Sequence, residues 1–545
     1  MKNRKIVIIG GVAGGATAAA RARRVDEHAE ITLVEMSGYV SYANCGLPYY
    51  IGGDIKERSK LLLQTPKGFH DRYRVRVLTH TEALKIDREK KEVLVRGPDG
   101  EQTLSYNSLI LSQGGSPVVP PLPGIPSQHA FTLRNVEDTD AIHDFVEQAK
   151  PRTAVIAGGG FIGLEMAEAL HSRGLSVQVV EKFNQLMPPL DPEFAEFVRQ
   201  ELERNSIHVH LNTGLASVDQ HEVRLGDGQV LQADLVILSM GVRPQTGMAK
   251  EAGLEIGPTG GVLVNGAMQS SDPSIFVVGD MAEIVHRITG KKVRVPLAGP
   301  ANRQGRIAGS NAAGARMTYA GAMGTSVVKI CERTAAATGL TEKAAKEAGI
   351  QTSSVFVHAN HHAGYYPGAK QLTLKVVFET KTGQVLGAQA FGSEGVDKRI
   401  DVIATAIAGK LTVEDLESLD LSYAPPFSSA NDPVNTAGFI GANSRSGFSP
   451  VVSPDVFQTI DKSEIAILDV RDDAETARGF VAGAIKIPLP QLRDRLNEIP
   501  RDRPVYAYCF SGMRSYLAAR ILMQNGFEKV YNVAGGYRSI MRMAV

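Results

Sequence analysis

The amino-acid sequence predicts a multidomain α/β protein, and three observations lead to this fold class. At 545 residues, the chain is too long for one hydrophobic core, so three or four domains are expected. A strand–helix–strand pattern occurs twice, first from KIVIIGG to ITLVEM and then from TAVIAGGG to SVQVVEK, and this alternation predicts parallel sheets. Short apolar strands alternate with helices again near the C-terminus, which predicts a further, smaller α/β domain.

Domain boundaries follow changes of pattern along the chain. Strands TSVVKI, TSSVFVHA and TLKVVFE, with a helix near Arg399 to Ala408, predict an α+β domain after the two repeats. A polar stretch from Gly441 to Pro454 is interpreted as a linker region. Beyond it, strands EIAILDV, RPVYAYC and KVYNVAG and helices QLRDRLNEI and SYLAARILMQNGF predict the last domain. The predicted ranges are 1–150 with 270–325 (first nucleotide unit), 151–269 (second nucleotide unit), 326–445 (α+β domain), 446–454 (linker) and 455–545 (C-terminal domain).

The composition is that of a globular protein with balanced charge. Hydrophobic residues make up 43% and charged residues 21%, with a formal net charge of +1. We therefore expect neither nucleic acid nor an anionic membrane as the main partner, and no apolar run reaches the roughly 18 residues that span a bilayer. The three cysteines, Cys45, Cys331 and Cys509, are far apart, which favours a reducing cytoplasm over a disulfide framework.

The second repeat carries a complete dinucleotide fingerprint. In GGGFIG, the glycines Gly158, Gly160 and Gly163 permit a tight turn, close approach of a pyrophosphate and close packing of helix on strand. Glu181 ends the next strand, where a carboxylate accepts hydrogen bonds from a ribose 2′-hydroxyl. This favours NADH over NADPH, although the neighbouring Lys182 leaves NADPH open.

The first repeat carries an imperfect copy of the fingerprint. Its outer glycines are Gly10 and Gly15, but Val12 stands where the middle glycine is expected. Glu35 closes the next strand twenty residues after Gly15, which is the expected spacing for a ribose carboxylate. A single fingerprint can be a mere glycine-rich turn, whereas two copies, each with its own acid, predict two dinucleotide sites. The candidate contacts of the first site are Gly10, Val12, Ala13, Gly14, Gly15 and Glu35.

At these residues the chain resembles the pyridine nucleotide–disulfide oxidoreductase superfamily. The resemblance implies a Rossmann-like FAD domain, a Rossmann-like NAD(P)H domain inserted into it, and an α+β dimerisation domain. It also implies that Asp280, in SIFVVGD, hydrogen-bonds the FAD ribityl chain, the alternative being a strand-end cap. The segment LSQGGSP resembles the return crossover from the nucleotide insert. The further cofactor contacts that we expect are Gly114, Gly241, Gly279, Asp280, Pro296, Leu297 and Ala298.

Cys45 is the candidate redox residue of the first unit. Reductases of the glutathione type carry a second cysteine five positions on, but here that position is Tyr50, so no internal disulfide can form. A solitary redox cysteine must cycle through a mixed disulfide with substrate or through a sulfenic acid. The alternative is a buried apolar cysteine without chemistry; the Gly/Pro-bounded loop of the nucleotide unit favours catalysis.

The segment SYANCGLPYYIGG resembles the branch of coenzyme A-disulfide reductases and NADH-dependent persulfide reductases, and so does LDLSYAPPFSSANDPVN. The resemblance covers almost the whole chain. It implies an FAD-dependent NAD(P)H oxidoreductase acting on coenzyme A persulfide, coenzyme A disulfide or polysulfide. It also implies a homodimer in which tyrosines of one subunit, Tyr423 and either Tyr365 or Tyr366, stabilise charge at the cysteine of the other.

Coenzyme A phosphates require cations, and the first helix ends with three arginines. Arg21, Arg23 and Arg24 are candidates, as is Lys67 in QTPKGF. The alternative is that the arginines complement the C-terminal helix dipole. The residues that we expect to contact coenzyme A are Arg24, Ser41, Asn44 and Lys67.

The C-terminal domain contains the loop CFSGMR between a strand and a helix. Backbone N–H groups of such a loop can converge on the sulfur of Cys509 and stabilise its thiolate. The loop, with Arg514, resembles that of rhodanese, which carries sulfane sulfur as a cysteine persulfide; Phe480 stands where rhodaneses often have histidine. The alternative is an inactive rhodanese module used for docking.

Two rival functions remain open from the sequence. The first is an NADH peroxidase or oxidase that uses a Cys45 sulfenic acid, although Ala13 stands where related peroxidases have histidine. The second is a redox-sensing or sulfur-delivery protein, which the complete nicotinamide site disfavours. No metal is expected: His358, His361 and His362 lack a clear acidic or thiol partner and are interpreted as loop histidines near a coenzyme A entrance. Cys331, in an apolar strand context, is interpreted as structural.

Overall fold

The computed structural model describes residues 3–125 and 127–542, which form two compact units. The first unit contains the chain through Asn184 together with Ser206–Gly324, and the second contains Gln185–Asn205 and the chain from Thr325 onward. Among the helices of the described ranges, none combines the length and apolar character needed to cross a membrane.

A parallel five-stranded sheet forms the centre of the first nucleotide unit. The two strands of the first repeat lie side by side in it, and buried isoleucine, valine and leucine side chains fill the adjoining core, as expected for a sheet covered on both faces. In spatial order the strands are Ile275–Val277, Ser108–Leu111, Lys5–Ile9, Glu30–Val34 and Val75–Leu78. The helices of this unit are Ala13–Val25, Leu47–Gly52, Pro66–Tyr73, Val136–Ala149, Gly247–Glu251 and Ala298–Ala312.

The second nucleotide unit repeats this plan. Its parallel strands are, in order, His208–His210, Ser176–Val180, Thr153–Ala157, Leu235–Leu238 and Ala130–Phe131, with the helix Phe161–Ser172. Smaller sheets complete the first compact unit: Glu82–Asp87 with Glu92–Gly97 and Gly100–Ser105; Leu215–Val218 with Glu222–Leu225 and Val230–Gln232; Gly115–Pro117 with Val242–Pro244; and Val262–Leu263 with Ala282–Val285 and Lys292–Val293.

Three segments cross the boundaries predicted from the sequence. Ala130–Phe131 pairs with the second nucleotide sheet although it precedes residue 150. Residues 249–268 were assigned to the second nucleotide unit, yet Ala249, Val262 and Met268 lie in the core of the first. Gln185–Asn205 leaves the nucleotide unit altogether and belongs to the second compact unit. A linear boundary cannot represent these crossings, because the paired partners of each segment are distant in the sequence.

The α+β domain of the second compact unit is an antiparallel five-stranded sheet. Its strands are, in order, Ser326–Ile330, Arg333–Gly339, Val385–Gly392, Gln371–Glu379 and Thr352–Asn360. The accompanying helices are Pro192–Arg204, Glu342–Glu347, Val396–Ala408, Val413–Glu417 and Pro433–Arg445.

A buried charged cluster attaches the segment Gln185–Asn205 to this sheet. The ammonium of Lys375 lies 2.8 Å from Asp191 and 2.7 Å from Glu342, and it also contacts Glu193. These three carboxylates raise the pKa of Lys375 against the effect of burial, so the ammonium stays charged. The one ammonium balances only part of the negative charge of the cluster: Glu193 Oε2 is buried without a hydrogen-bond partner among the described residues, and burial raises the pKa of Glu193.

The C-terminal domain is a parallel sheet with helices on its faces. Its strands are, in order, Val451–Val452, Val530–Val533, Val505–Tyr508, Ala466–Asp469 and Ile485–Lys486. Its helices are Pro454–Thr459, Asp473–Thr476, Met513–Gln524 and Gly536–Ile540. The stretch QLRDRLNEI was expected to be one helix; instead it forms two 3₁₀ turns, Leu489–Asp494 and Leu496–Glu498, because Pro488 and Pro490 restrict its start and few of its side chains are buried.

The polar stretch between the last two domains is shorter than predicted. The helix Pro433–Arg445 takes up its first residues, and Val451–Val452, assigned to the linker, pairs with Val530–Val533 as the edge strand of the C-terminal sheet. Only residues 446–450 lie between these two elements.

Candidate functional site

The phosphate turns of the two repeats have the same geometry. Gly10 (φ +94°) and Gly158 (φ +113°) adopt left-handed backbone conformations, which favour glycine. A Cβ at Gly15 would lie 1.8 Å from the Gly10 carbonyl oxygen, and one at Gly163 would lie 1.9 Å from that of Gly158. The outer glycines are therefore fixed by helix–strand contact, as the fingerprint predicts.

Val12 and Gly160 occupy the same place, as the N-caps of the helices Ala13–Val25 and Phe161–Ser172. The φ of Val12 is −100°, which any residue adopts, so valine is tolerated at the middle position of the first fingerprint. A Cβ at Gly160 would meet no protein atom within 4 Å. The space in front of the helix Phe161–Ser172 thus fits the pyrophosphate of a dinucleotide.

The two acids predicted to bind ribose also hold the phosphate turns. Glu35 accepts hydrogen bonds from the backbone N–H of Gly11 (2.7 Å) and Ser37 (2.9 Å). Glu181 accepts from Gly159 (2.7 Å) and Phe183 (2.9 Å). Each carboxylate therefore sits beside its glycine turn, and the repeat seen in the sequence extends to individual hydrogen bonds.

Asp280 stands in a polar group around Gly114. A Cβ at Gly114 would lie 3.9 Å from Asp280 Oδ2. Burial raises the pKa of Asp280, while the charges of Arg134 and Arg294 oppose the rise. Gln113 Oε1 is buried and has no hydrogen-bond partner among the described residues, so this pocket still has polar capacity for a bound ligand. These residues fit the polar chain of FAD.

The remaining predicted cofactor residues lie at turns and a helix start. Gly241 (φ +103°) and Gly279 (φ +76°) are left-handed turn residues. Pro296 and Leu297 precede the helix that begins at Ala298. This helix packs backbone to backbone on Ala13–Val25, since a Cβ at Gly305 would lie 2.3 Å from the Gly14 carbonyl.

Cys45 lies in the single 3₁₀ turn Asn44–Gly46, directly before the helix Leu47–Gly52. The residue is exposed, and Tyr50, at the position of the missing second cysteine, stacks on His143 with ring centroids 4.9 Å apart. Although part of the residue is exposed, the protein atoms around the sulfur desolvate the Cys45 thiol and raise its pKa, and the negative charges of Glu165 and Asp280 raise it further.

The structure adds Glu165, which sequence reasoning missed, to the surroundings of Cys45. The Tyr49 hydroxyl donates to Glu165 Oε1 at 3.4 Å, and both residues line a small cleft with Pro48 and Glu168. Burial raises the pKa of Glu165 to about 7. A carboxyl group that titrates near neutrality can hold or release a proton beside a thiol.

The arginines at the end of the first helix divide into two groups. Arg23 is buried and donates to four backbone carbonyls, those of Tyr73, Arg74, Asp26 and Glu27, so it is a structural cap and not a phosphate ligand. Arg21 instead donates to Ser310 (2.7 Å). Burial and the charges of Arg306 and Arg24 lower its pKa.

Arg21, Arg24 and Arg306 therefore form a basic cluster in which Arg306 was not expected from the sequence. Arg24 Nε donates to the Ala20 carbonyl, which supports the helix-end interpretation for part of its guanidinium. Lys67 is exposed and pairs with Asp71. Ser41 has a left-handed backbone (φ +49°), and Asn44 is exposed in the turn of Cys45.

In the second compact unit, the Tyr365 and Tyr423 hydroxyls lie 2.9 Å apart on an exposed surface. Tyr366 is separate: its ring packs edge-on against buried His362. Of the two candidates, Tyr365 is thus the one whose hydroxyl contacts Tyr423.

The Cys509 loop, residues 509–514, connects the strand Val505–Tyr508 to the helix Met513–Gln524. The Gly512 N–H donates to Cys509 Sγ at 3.1 Å, and the Ser515 hydroxyl lies 3.5 Å from the same atom. Arg514 is held by Glu475 through two hydrogen bonds of 2.6 Å. Phe480 is half exposed, with the Lys486 ammonium 3.3 Å from the centre of its ring.

The three histidines point to different partners. His358 contacts Thr373 and Ser539, each at 2.9 Å, His361 contacts the backbone of Lys370, and buried His362 contacts the Ala363 carbonyl. Cys331 does not lie in a strand as expected; it is in the turn between Ser326–Ile330 and Arg333–Gly339 and has a φ of +53°.

Two dinucleotide turns and a solitary cysteine in the first unit define a nucleotide-dependent thiol oxidoreductase. The C-terminal domain adds a second cysteine, Cys509, in a loop between a strand and a helix. Family models agree: pyridine nucleotide-disulphide oxidoreductase matches residues 4–305, its dimerisation domain matches residues 325–433, and the rhodanese-like domain matches residues 454–542. The chain belongs to the pyridine nucleotide-disulphide oxidoreductase family. This confirms the predicted family and fold class, and FAD and NAD(P)H are the cofactors of the family.

Individual relatives are similar over most of the chain. The coenzyme A disulfide reductase of Staphylococcus epidermidis is 35% identical over 438 residues, which is 80% of this chain and 99% of the relative. The crystal structure of reduced Bacillus anthracis CoADR-RHD has 45% identity and a TM-score of 0.97, covering 99% of this chain and 98% of that one. An NAD-dependent persulfide reductase from A. fulgidus has 38% identity and a TM-score of 0.91, covering 98% and 99%.

Proposed function

We propose that this chain is an FAD-dependent NAD(P)H reductase of coenzyme A persulfide and coenzyme A disulfide, with polysulfide as a further substrate, and that its rhodanese domain handles sulfane sulfur. The observation that carries the proposal is Cys45, a solitary thiol in the turn that follows the first nucleotide repeat, with Tyr50 stacked on His143 where a second cysteine would stand. Such a thiol reduces its substrate through a mixed disulfide with that substrate.

The two phosphate turns receive the cofactors in this proposal. FAD is held by the first turn, by Glu35 and by the polar group at Gly114 and Asp280; the nicotinamide cofactor is held by Gly158 to Gly163 and Glu181. A carboxylate beside the ribose favours NADH over NADPH. Bound FAD supplies Cys45 with the electron pair that originates in NAD(P)H.

The reaction at Cys45 has two stages. Its thiolate attacks the coenzyme A sulfur of the persulfide, the S–S bond breaks, HS⁻ leaves, and a Cys45–coenzyme A disulfide forms. Uptake of two electrons then cleaves this disulfide into the Cys45 thiolate and the coenzyme A thiolate, which takes a proton. Glu165, whose pKa is about 7, is placed to donate that proton, and the Tyr49 hydroxyl fixes the orientation of its carboxyl group.

The basic cluster of Arg21, Arg24 and Arg306 supports binding of coenzyme A, whose phosphates need cations. Ser41, Asn44 and Lys67 belong to the same proposed site. We also propose a homodimer in which the Tyr365–Tyr423 pair of one subunit donates to the sulfur leaving Cys45 of the other. Two thiol sites require reducing conditions, so the proposal includes the cytoplasmic location expected from the cysteine pattern.

Replacement of Cys45 by serine tests the proposal. We expect Cys45→Ser to retain FAD and to lose NADH-dependent reduction of coenzyme A persulfide, measured by NADH absorbance and sulfide release. Cys331→Ser, in a turn of the other unit, is the matched control and should turn over normally. Cys509→Ser should spare this reduction and abolish thiosulfate sulfurtransfer. Persulfide reduction retained in Cys45→Ser, or faster turnover with peroxide than with coenzyme A persulfide in the wild type, would refute the assignment.

A further inference from the structure

The Cys509 loop is held in place by the last helix of the chain. The backbone N–H groups of Tyr537 and Arg538 donate to the carbonyls of Cys509 (2.7 Å) and Phe510 (3.0 Å). The contact is close, since a Cβ at Gly536 would lie 2.4 Å from the Cys509 carbonyl oxygen. Any shift of the helix Gly536–Ile540 therefore moves the backbone on which the sulfur is mounted.

This helix is in turn hydrogen-bonded to the dimerisation domain. Ser539 Oγ lies 2.9 Å from His358 Nε2, and Arg538 Nη1 donates to Gln371 Oε1 at 2.9 Å. His358 and Gln371 are on neighbouring strands of the antiparallel sheet. Two separate hydrogen bonds thus connect the antiparallel sheet with Arg538 and Ser539.

Both hydrogen bonds lie close to the Cys509 loop. The Arg538 guanidinium lies 4.8 Å from the ring centre of Phe510, inside the loop. A Cβ at Gly535, next to the helix, would lie 2.9 Å from His358 Nε2 and 2.0 Å from Ser539 Oγ. The imidazole is therefore packed against a glycine turn that has no room for a larger residue.

The second nitrogen of His358 is also bound. Nδ1 lies 2.9 Å from Thr373 Oγ1 on the adjacent strand, which fixes the ring plane. Burial and the nearby charge of Arg538 lower the pKa of His358 to about 3, so the ring is neutral in the working pH range. A neutral ring donates from one nitrogen and accepts at the other, and the two hydroxyl partners can serve either arrangement.

We propose that His358 and Gln371 of the dimerisation domain are positioning residues for sulfur transfer at Cys509, acting through Ser539 and Arg538. The inference rests on the proposed sulfur chemistry of Cys509. In that chemistry the Cys509 thiolate attacks the outer sulfur of thiosulfate, the S–S bond breaks and sulfite leaves. Cyanide then takes the outer sulfur as thiocyanate and the thiolate returns. Both attacks require a sulfur in a fixed position, where the Gly512 N–H donates to it.

Two substitutions at position 358 separate positioning from bulk packing. In His358→Gln the amide reaches the place of Nε2 and keeps the bond to Ser539, whereas in His358→Asn it reaches only the place of Nδ1 and Thr373. In the full-length holoenzyme, we expect His358→Asn and Ser539→Ala to lower kcat for thiosulfate:cyanide sulfurtransfer about five- to tenfold, the loss of roughly one hydrogen bond. His358→Gln should stay within about twofold of wild type. His361→Asn, on the same segment, is the matched control and should keep the wild-type kcat for sulfurtransfer.

Further measurements distinguish positioning from unfolding. The rate of iodoacetamide alkylation of the Cys509 peptide should change in His358→Asn, while FAD content and NADH-dependent reduction at Cys45 stay normal. The kcat for sulfurtransfer should fall no further in the double variant His358→Asn/Ser539→Ala than in either single variant, because each substitution breaks the same His358–Ser539 contact. If His358→Asn does not fold, the same transfer assay on Ser539→Ala and on Gln371→Ala tests the positioning role. Gln371 is exposed.

The possible results separate the inference from the proposed function. Wild-type transfer rates in both His358→Asn and Ser539→Ala, or additive losses in the double variant, overturn the positioning role. Full transfer activity in Cys509→Ser instead overturns the sulfur chemistry on which the role depends. A lower kcat for sulfurtransfer in His358→Asn, together with a nearly wild-type kcat in His358→Gln, supports the positioning role.

Discussion

Arg514 and Glu475 are joined by two parallel hydrogen bonds of 2.6 Å, Nη1 to Oε2 and Nη2 to Oε1. Arg514 belongs to the Cys509 loop, and Glu475 lies 39 residues earlier, in the short helix Asp473–Thr476. The guanidinium is thus oriented by a carboxylate outside the loop. Because the ion pair is bidentate, it fixes the plane of the arginine as well as its position.

Glu475→Gln is predicted to weaken this orientation. Loss of a charge-assisted bond corresponds to roughly 1.5–3 kcal/mol, so sulfurtransfer at Cys509 should fall about tenfold or more while reduction at Cys45 is unchanged. Arg514 holds the pKa of Glu475 at about 2. Since a carboxyl group with a lowered pKa stays ionised above it, the wild-type ion pair should persist from pH 5 to 8.

Glu498→Gln is the matched control for this prediction. Glu498 also forms a bidentate pair with Arg495, through Nε and Nη2 at 2.6 and 2.7 Å, on an exposed turn of the same domain. Sulfurtransfer rates, measured as thiocyanate formed, should equal those of the wild type in Glu498→Gln. Equal rates in both variants would contradict the role assigned to Glu475.

Gly160→Ala is predicted to weaken binding of the nicotinamide cofactor without destabilising the protein. The added methyl group meets no protein atom within 4 Å, but it projects from the helix N-cap where the pyrophosphate is expected. The KM for NADH should rise about tenfold or more, with unchanged FAD content and melting temperature. Gly214→Ala, which also meets no atom within 4 Å but lies outside the phosphate turn of residues 158–163, should keep the wild-type KM; a similar KM in both variants would argue against this site.

Glu165→Gln is predicted to make Cys45 more reactive toward alkylation at pH 8. The pKa of Glu165 is about 7, so at pH 8 it is mostly charged, and that charge raises the pKa of the Cys45 thiol. Removing it lowers the pKa of Cys45 and increases the thiolate fraction several-fold. Iodoacetamide labelling of the Cys45 peptide from pH 6 to 9 measures the change.

The control for Glu165→Gln is Glu168→Gln, one helical turn away. Its charge acts on Glu165 but is not among the charges acting on the Cys45 thiol. At pH 8, where Glu165 is already ionised, iodoacetamide should label Cys45 of Glu168→Gln at the wild-type rate. A Glu165→Gln labelling rate no greater than that of the control would contradict the electrostatic coupling.

The parts of the fold that depend on short segments were predictable from the sequence. Gly158, Gly160 and Gly163 specify a turn through their spacing, and the acid that closes the next strand lies beside that turn in the structure. The Cys509 loop is likewise contained in six consecutive residues. In both cases the local backbone conformation and the chemistry depend on the same few residues.

The parts that depend on distant segments were not predictable. Glu165 meets Tyr49 across 116 positions, and Ser539 meets His358 across 181; no pattern in either segment signals the other. The segment Gln185–Asn205 reads as a continuation of the nucleotide unit, yet its acids surround Lys375 in another unit. Arg23 resembles its neighbours Arg21 and Arg24 in sequence, and only the carbonyls around it show that it is structural.

The shortness of the connection before the rhodanese domain determines how sulfur can be supplied. Residues 446–450 span at most about 18 Å when fully extended, and the strand Val451–Val452 is already part of the sheet. Together with the His358–Ser539 and Arg538–Gln371 hydrogen bonds, this short connection holds Cys509 beside the dimerisation domain of its own chain. An acceptor held in this way depends on a diffusible donor, so the sulfur flux through Cys509 should follow the cellular concentration of small persulfide carriers.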